Sequence, residues 1–516
     1  MDPIMMEFSQ HSPVLIVMAP FLLGMAAAAA GWANRKWAFP MAFLGLLSGL
    51  IAAIHMLIKT AKGEILVYHM AGWLPPFGIA YRIDTFSALI LTAIMAVALI
   101  NLVASRASAE KDFTEKAPAW YALYVFFVSG LAGMVATEDI FNLYVLLEIA
   151  SLSAYALIGM GHNRAPFAAL NYLLMGTIGA SFYLMGVAYI YIATGSLNMT
   201  DIAVILQEMG PNPTITMAFA LCMTGLLAKM AAFPVHGWLP NAYTFAPDAT
   251  TNVMAALTTK VSIYIMIRLV LSLFPLSLAF DTGIIADAMV WLATIGIFAG
   301  AFMALAQKSF KRMLTYIVVV EVAYMVGGFW LGNRAGMTGA MLHILNDAAM
   351  TLCVFMAVAN IRARRGADAF SDLKGLFQTM PFSMGALVIS GLAIIGIPPT
   401  CGFFSKWYLI SGGIEAGHWG FVIALLSASI INAILFFKVF EIAFFEVPAE
   451  TFGQNSREHE SDHHTHHGLP SLAMAEARIS MLIPLIIMAL TLLALGFMTG
   501  GIVNLFIDPA IPGQVL

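Results

Sequence analysis

The chain has 516 residues, of which 61% are hydrophobic and 10% are charged, and its formal net charge is −4. A soluble domain of average composition carries roughly 25% charged residues. The composition therefore excludes an ordinary soluble protein and indicates an integral membrane protein with many spans. We expect the lipid bilayer to be one of its partners and nucleic acid not to be.

Apolar runs recur along almost the whole chain. A transmembrane helix needs about 20 mostly apolar residues, and we predict 14 such spans. They cover residues 13–31, 38–58, 84–104, 119–136, 139–161, 166–193, 214–233, 249–272, 284–305, 311–331, 336–361, 380–411, 419–446 and 478–504. Prolines make two of them irregular, near Pro234 and Pro398. The first run has no basic leader before it and no small-residue cleavage site after it, so we interpret it as a mature span.

The distribution of basic residues predicts the orientation. Lys and Arg accumulate in the short cytoplasmic loops of membrane proteins. With these spans, the odd-numbered loops hold 14 basic residues and the even-numbered loops hold 4. We therefore expect the odd loops in the cytoplasm and both termini outside, in the inner membrane of a bacterial or archaeal cell.

The sequence offers no cofactor or metal motif. Cys222, Cys353 and Cys401 lie within or beside predicted spans and form no CxxC pair, which speaks against an iron–sulfur site, a zinc site or a disulfide framework. There is also no GxGxxG, Walker or HExxH motif. We expect neither a cofactor nor a bound metal in this chain.

Charged residues inside the predicted spans are the informative set. Each ionised group costs about 2.5–3.5 kcal/mol at the centre of a membrane helix, so such residues mark functional sites. The set comprises Lys229, Lys260, Lys406, Arg268, Lys438, Glu148, Glu321, Asp347 and Glu441. We interpret Arg268, Lys438 and Glu441 as structural, because they lie near span ends where a long side chain reaches the interface.

The three deeper lysines have a chemical reason to be there. A lysine that loses hydration can gain and lose a proton near physiological pH, and a neighbouring carboxylate opposes that change. A lysine whose acidic partner can strengthen or weaken its hold is therefore a proton switch. Glu148, an isolated acid in "FNLYVLLEIASLSAYAL", is the expected partner of one of them.

The two proline sites predict hydrated breaks in the helices. Proline frees a backbone carbonyl, which is tolerated at membrane depth only where protein or water satisfies it. Interrupted spans beside ionisable groups in two halves of a chain indicate a transporter built from inverted repeats. The two sites differ in order, since Lys229 precedes Pro234 whereas Lys406 follows Pro398 and Pro399.

Five segments in order resemble one known family. These are "EDIFNLYVLLEIASLSAYALIG", "AKMAAFPVHGWLPNAYTFAP", "TTKVSIYIMIR", "QKSFKRMLTY" and "GIPPTCGFFSKW". They are similar to the proton-translocating antiporter-like subunits shared by respiratory complex I, membrane-bound hydrogenases and Mrp-type cation/proton antiporters. The resemblance implies an all-α polytopic fold of about 14 transmembrane helices, with two inverted five-helix repeats and with helices 7 and 12 broken.

On that resemblance the chain divides into five parts. We predict helices 1–3 in residues 1–118, the first repeat in 119–275 and the second repeat in 276–447. A His- and acid-rich cytoplasmic loop in 448–477 and helix 14 with the tail in 478–516 follow. Within that loop, "REHESDHHTHHGLP" could bind metal, but we interpret it as a solvated loop.

The resemblance also implies roles for individual residues. Glu148 and Lys229 match the family's paired glutamate and lysine, Lys260 the lysine that passes protons onward, and Lys406 the terminal lysine of helix 12. His343 matches the first histidine of the helix 11 signature. Three positions depart from the family: Thr351 stands where a lysine is often found, and we expect the other two, Glu321 and Asp347, to contribute to the relay or to be structural. Glu321 stands where glutamine is usual, and Asp347 where a second histidine is common.

One further histidine is a candidate for the path. His236 lies in the break at helix 7, and its imidazole titrates near neutrality. We expect it to face the same cavity as Lys229 if the break is hydrated.

The segment "YHMAGWLPPFGIAYRIDTFSAL" looks most like the D-type subunits of Mrp antiporters and their hydrogenase relatives. We therefore expect a subunit of a multisubunit Na⁺/K⁺:proton antiporter, partnered by other integral membrane subunits, and a transporter rather than an enzyme by itself. One alternative is a proton-pumping subunit of complex I or a membrane hydrogenase, in which partners handle electrons and quinone. The other is a structural subunit with a degenerate path.

Overall fold

The computed structural model describes residues 3–281, 283–366, 369–446 and 476–513. The first half of this structure contains ten α-helices. They are α1 Pro3–Ala33, α2 Ala38–Thr60, α3 Thr85–Phe113, α4 Ala117–Ala136, α5 Ile140–Gly159, α6 Ala165–Thr194, α7 Met199–Met209, α8 Pro213–Lys229, α9 Trp238–Phe245 and α10 Asp248–Arg268. The others are α11 Leu276–Phe280, α12 Ile284–Leu305, α13 Phe310–Trp330, α14 Arg334–Arg365, α15 Leu376–Thr379, α16 Pro381–Ile395, α17 Cys401–Glu415, α18 Trp419–Phe445 and α19 Ile479–Ile502.

The polytopic all-α prediction is confirmed. In the part of the chain that the structure describes, 11 helical stretches are long and apolar enough to cross a membrane, and Pro213–Lys229 and Pro381–Ile395 are shorter apolar helices. Every predicted span overlaps a helix. The count of 14 spans, the inverted repeats and the division into five parts stay predictions. The His-rich segment 457–470 lies outside the described residues.

A small hairpin is the one β-sheet that the described residues show. Strand β1, Leu66–His69, pairs antiparallel with β2, Ala80–Ile83, between α2 and α3. The predicted spans leave only a loop there. Four-residue strands are too short to give a clear alternating pattern in the sequence.

Polar residues at the helix starts fix many of the boundaries. Asp139 accepts from the backbone N–H of Asn142 at 2.6 Å before α5, and Asn212 accepts from Thr214 before α8. Ser309 and Asn333 cap α13 and α14 in the same way. These caps satisfy backbone donors that have no partner inside the helix, which matters more in a membrane than in water.

Three helices form the centre of the molecule. α10 and α14 are surrounded by other helices along their spans, and α13 nearly so. α14 packs against α10, α13 and α17. Four of the nine charged residues selected from the sequence, Lys260, Arg268, Glu321 and Asp347, lie on these central helices and are buried there.

Close backbone approach holds α6 against α8. A Cβ atom added to Gly225 would lie 2.5 Å from the carbonyl oxygen of Gly179 and 2.7 Å from the nitrogen of Tyr183. Small residues allow membrane helices to approach in this way and to gain van der Waals contact.

We expect Gly225→Val to separate α6 from α8, because the obstacle is backbone and cannot rotate away. The free energy of unfolding should fall by about 1–3 kcal/mol, measured as a lower thermal unfolding temperature of the purified protein in detergent. Gly500→Val in α19 is the control, since nothing lies within 4 Å of a Cβ atom added there. Equal unfolding temperatures for the two variants would contradict this prediction.

Candidate functional site

The first predicted break is present, and it begins at Lys229. Helix α8 ends at that residue, Ala231 has a left-handed φ of 58°, and the next helix, α9, starts at Trp238. The indole nitrogen of Trp238 donates to the carbonyl of Ala228 at 3.0 Å. One of the carbonyls released at the end of α8 is therefore satisfied by a side chain from beyond the break.

Lys229 is held loosely by its predicted partner. Its ammonium donates to Ser151 Oγ at 2.8 Å and to the Tyr155 hydroxyl at 3.4 Å, whereas Glu148 Oε1 lies 3.7 Å away. The Glu148 distance is an ion-pair contact but exceeds hydrogen-bond length. The side chain of Lys229 is 4% exposed and that of Glu148 is 24% exposed.

The second predicted break places Lys406 in an equivalent electrostatic setting. α16 ends at Ile395, and Gly396 follows with φ 93°. Lys406 lies in α17, but its ammonium reaches back and donates to the carbonyl of Ile394 at 2.5 Å. A Cβ on Gly396 would approach Cδ of Lys406 to 3.1 Å, so a glycine suits this position for both reasons.

Both lysines therefore lie at the carboxyl end of a short helix. Lys229 is the last residue of α8, and Lys406 binds the last turn of α16. Unpaired carbonyls give that end of a helix a partial negative charge, which favours a cation. This geometry explains why one lysine precedes its prolines and the other follows them.

Lys260 forms a tight ion pair at the centre of the molecule. Its ammonium lies 2.8 Å from Asp347 Oδ2, and the two side chains are 2% and 1% exposed. It also donates to the carbonyl of Ala255 at 2.9 Å, while Thr351 donates to the other oxygen of Asp347 at 2.7 Å. Asp347 is thus the direct partner of Lys260, a contact that the sequence does not specify.

Glu321 joins His343 to Lys406. Its Oε2 lies 2.5 Å from His343 Nε2, and its Oε1 lies 3.9 Å from the Lys406 ammonium. The other ring nitrogen of His343 is 2.8 Å from Ser405 Oγ. The structure therefore places Glu321 between these two bases, with all of the side chains buried.

These two groups meet on α14. Asp347 and His343 are four residues apart on that helix, so they are neighbours on one face. A cavity of about 10 Å³ is lined by Glu321, Asp347 and Thr351. Lys260, Asp347, His343, Glu321 and Lys406 therefore form one buried polar cluster, in which this cavity borders both groups.

A small cavity lies beside Lys229. It measures about 20 Å³ and is lined by Lys229 and Ser151 together with Thr258 and Ser262 of α10. A cavity of that size with several polar partners is large enough for one water molecule. The cavity therefore extends from Lys229 to the face of α10 that carries Thr258 and Ser262, whereas Lys260, two residues from each, lies on another face of that helix.

His236 lies beside the first break. It is buried in the short turn Val235–Gly237, and its ring stacks on Phe233 at 5.4 Å between centroids. In the part of the chain described here, no hydrogen bond joins it to Lys229. Its contribution to the path stays a prediction. Among the same residues, no group of three or more His, Cys, Asp or Glu side chains could hold a metal ion.

The reason given for interpreting Arg268 as structural is wrong, although its burial does not contradict a structural role. Arg268 was expected to reach the membrane interface, but it is 7% exposed and pairs with Glu138 at 3.0 Å. Arg268 was placed near the interface only because it lies close to the end of a predicted span. Its burial depends on a partner, Glu138, that the sequence does not indicate. Glu138 stands next to the cap residue Asp139. Two adjacent acids at a helix start are typical of a turn, so the sequence did not mark Glu138 as the partner of a buried arginine.

A second buried group was also missed. Asp248, the first residue of α10, lies 2.8 Å from the ammonium of Lys311 and also pairs with Arg362. The predicted orientation counted Lys311 and Arg362 among the cytoplasmic loop residues, although Lys311 is almost fully buried. Asp248 stands directly before the predicted span 249–272, and this acid at a span end was the available signal.

A comparison with protein families decides the relationship. The family described as "NADH:quinone oxidoreductase/Mrp antiporter, TM" matches residues 137–432 of the chain. The chain belongs to this antiporter-like family. The matched region contains both breaks and every residue of the relay predicted from the sequence.

Relatives of this antiporter-like chain come from two kinds of complex. It is 37% identical to NADH-quinone oxidoreductase subunit N of Desulforudis audaxviator, over 98% of this chain and 99% of the relative. It is 28% identical to the Na⁺/H⁺ antiporter D subunit of Alkalihalophilus pseudofirmus, over 84% and 86%. A chain of the membrane-bound sulfane sulfur reductase, an archaeal respiratory membrane complex, superposes with a TM-score of 0.86 at 26% identity, over 96% of each chain.

We expect Asp347→Asn to destabilise the protein, because it leaves the Lys260 ammonium buried without a countercharge. Breaking a buried ion pair on one side costs about 3–5 kcal/mol, which a thermal or denaturant unfolding curve in detergent would detect. The double variant Lys260→Met with Asp347→Leu should regain much of that loss. Asp287→Asn is the control, since Asp287 is 61% exposed beside His418 and should matter little. Wild-type stability of Asp347→Asn would contradict the expectation.

Proposed function

We propose that this chain carries protons across the membrane as a subunit of a multisubunit Mrp-type Na⁺/K⁺:proton antiporter. The observation that carries the proposal is the row of three buried lysines, each with an acidic partner: Glu148 with Lys229, Asp347 with Lys260, and Glu321 with Lys406. Relatives that are named as D subunits of Na⁺/H⁺ antiporters support the choice of complex.

The pairing explains how a proton moves. When a lysine loses its proton, its partner carboxylate is left buried without compensation, which is unfavourable in a medium of low dielectric. That carboxylate attracts a proton from a neighbouring pair. The lysine of the neighbouring pair is then the one that lacks a proton. Each pair is thus driven by the charge state of the one beside it.

The loose and tight contacts assign a role to each pair. Lys229 binds two hydroxyls while Glu148 stays 3.7 Å away, so small side-chain motions can open or close this ion pair. We propose that this motion gates loading from the hydrated break, as the cavity beside Lys229 would supply the water. Lys260 then passes the proton to Asp347, with which it is in direct contact.

His343 completes the second half of the route. A neutral imidazole accepts a proton at one nitrogen and donates from the other. Its Nε2 contacts Glu321, whose second oxygen faces Lys406. The proposed order is therefore Glu148, Lys229, Lys260, Asp347, His343, Glu321 and Lys406, with His236 assisting uptake at the first break.

The chain is proposed to work with other integral membrane subunits. The side chain of Glu148 is 24% exposed in this chain, and it lies within a predicted span, where a charge that faces lipid would be costly. A neighbouring subunit on that face would remove the cost, and the relatives are named as subunits of larger complexes. We propose that the complex lies in the inner membrane of a bacterial or archaeal cell, with both termini of this chain outside.

A second candidate is favoured by one comparison. The 37% identity to subunit N of an NADH-quinone oxidoreductase covers nearly the full length of both chains. In that case the same relay would move protons while partner subunits handle electrons and quinone. A cation gradient drives transport in the first case, and an electron donor with quinone drives it in the second.

We expect Lys229→Ala and Glu148→Gln to lower driven proton flux by about 10²-fold or more, the usual loss when a positioned proton donor is removed. The measurement is internal pH in liposomes that contain the whole complex, driven first by a Na⁺ or K⁺ gradient and then by electron donor and quinone. Lys59→Ala is the control, because Lys59 pairs with Glu64 near a loop, away from the relay. Wild-type flux in both relay variants would leave only the structural-subunit alternative.

We expect Glu321→Gln to interrupt the route between His343 and Lys406, since an amide cannot take up and release the proton. Driven flux should fall at a normal level of assembled complex, and Glu321→Asp should retain more of it. If Glu321→Gln transports protons normally, the final step does not pass through Glu321.

A further inference from the structure

A row of polar side chains leads from Lys260 to the end of α10. Lys260, Tyr264 and Arg268 follow at intervals of four residues, so they lie on one face of the helix. By the distribution of basic residues this end faces outward. On the proposed function, water along this face would give a proton held at Lys260 a direct route out of the first half of the molecule, bypassing Asp347.

Arg268 is fixed at the end of this row by four contacts. One terminal nitrogen donates to the carbonyl of Val135 at 2.6 Å and to the Tyr264 hydroxyl at 3.0 Å. The other donates to Glu138 Oε2 at 3.0 Å and to the carbonyl of Arg82 at 3.3 Å. Few positions remain for the guanidinium to adopt while these contacts persist.

Solvent is close on the far side of this group. Glu138 accepts from Thr200 Oγ1 at 2.6 Å, and Arg82 lies 3.7 Å from the same carboxylate. The side chain of Arg82 is 38% exposed, and Thr200 is exposed. Arg268 and Tyr264 are therefore the groups that stand between Lys260 and this surface.

Neither group can pass a proton in this arrangement. Arginine stays protonated in proteins and has no acceptor. The Tyr264 hydroxyl receives the hydrogen bond from Arg268 and is 3.4 Å from the Val135 carbonyl, to which it donates. A fixed positive charge also opposes the passage of another, as in pores that exclude protons.

We infer that Arg268, held in place by Glu138, closes this end of α10 against protons, so that a proton at Lys260 leaves through Asp347. This inference rests on the proposed function. It gives a role to a buried pair outside the relay, which is to prevent a leak that would dissipate the gradient without transport.

Arg268 also has a structural contact that the test must separate from this role. The Val135 carbonyl belongs to the last turn of α4, where a cation is favourable. Loss of Arg268 therefore removes both a charge and a helix cap, whereas loss of the Glu138 charge loosens the same group but leaves the arginine in the path.

The experiment measures passive proton leak in liposomes that contain the whole complex. A pH difference is imposed with equal K⁺ on both sides and valinomycin, without Na⁺ and without an electron donor. The variants are Arg268→Gln, Arg268→Lys, Glu138→Gln, the double variant Arg268→Gln with Glu138→Gln, and Arg268→Gln with Lys260→Met.

We expect Arg268→Gln to raise the leak several-fold, and Arg268→Lys and Glu138→Gln to stay near the wild-type rate because the positive charge remains. Adding Lys260→Met should return the leak to the wild-type rate, since the donor at the start of the row is lost. If Arg268→Gln alone does not assemble, the double variant leaves no unpaired buried charge and should leak in its place.

Two results would overturn the inference. One is a wild-type leak in the assembled Arg268→Gln or double variant. The other is an equal leak in Glu138→Gln and Arg268→Gln, which would show that loosened packing alone opens the route. The driven flux of Lys229→Ala, measured in the same liposomes, tests the relay separately, so that failure of the barrier and failure of the proposed function can be distinguished.

Discussion

The buried ion pair between Lys260 and Asp347 is the interaction on which the rest of the structure depends. α10 and α14 carry these opposite charges into the centre of the molecule, where an unpaired charge would be costly. Both ends of α10 are fixed as well, by Asp248 with Lys311 at one end and by Arg268 with Glu138 at the other. The helix that presents Lys260 is therefore held along its whole length, while the lysine itself faces a partner whose charge can change.

Helix ends supply the remaining electrostatics. In a membrane, an exposed backbone carbonyl has no water to satisfy it, so a helix that stops halfway needs a partner. Lys229 and Lys406 make use of this requirement, since each ammonium lies where a short helix ends. The breaks thus provide negative potential for a cation, and this effect does not require a further acidic residue beside the break.

Much of this architecture could be predicted from the sequence, because long apolar runs and isolated buried charges are local signals. The spans, both breaks, the lysines and the isolated acid Glu148 were located in this way, and the resemblance matched Glu148 to Lys229. Pairings between distant helices leave no local signal. The pairing of Asp347 with Lys260 and that of Glu321 with His343 depend on how α10, α13 and α14 pack together. They could therefore be found only in the structure. Arg268 was misjudged for the same reason, since its burial depends on Glu138, far away in the sequence.

The sharing of Glu321 between two bases limits how many bases on the route can be protonated at the same time. It is shared, with one oxygen facing His343 and the other facing Lys406. Along the proposed route, four bases are therefore matched by three carboxylates: Glu148, Asp347 and Glu321. When every base is protonated, one positive charge has no counterion in the protein interior, and His343 and Lys406 compete for the same acid. Protonation of all four bases at once is thus unfavourable, because the route contains fewer acids than bases. One base therefore stays ready to receive a proton.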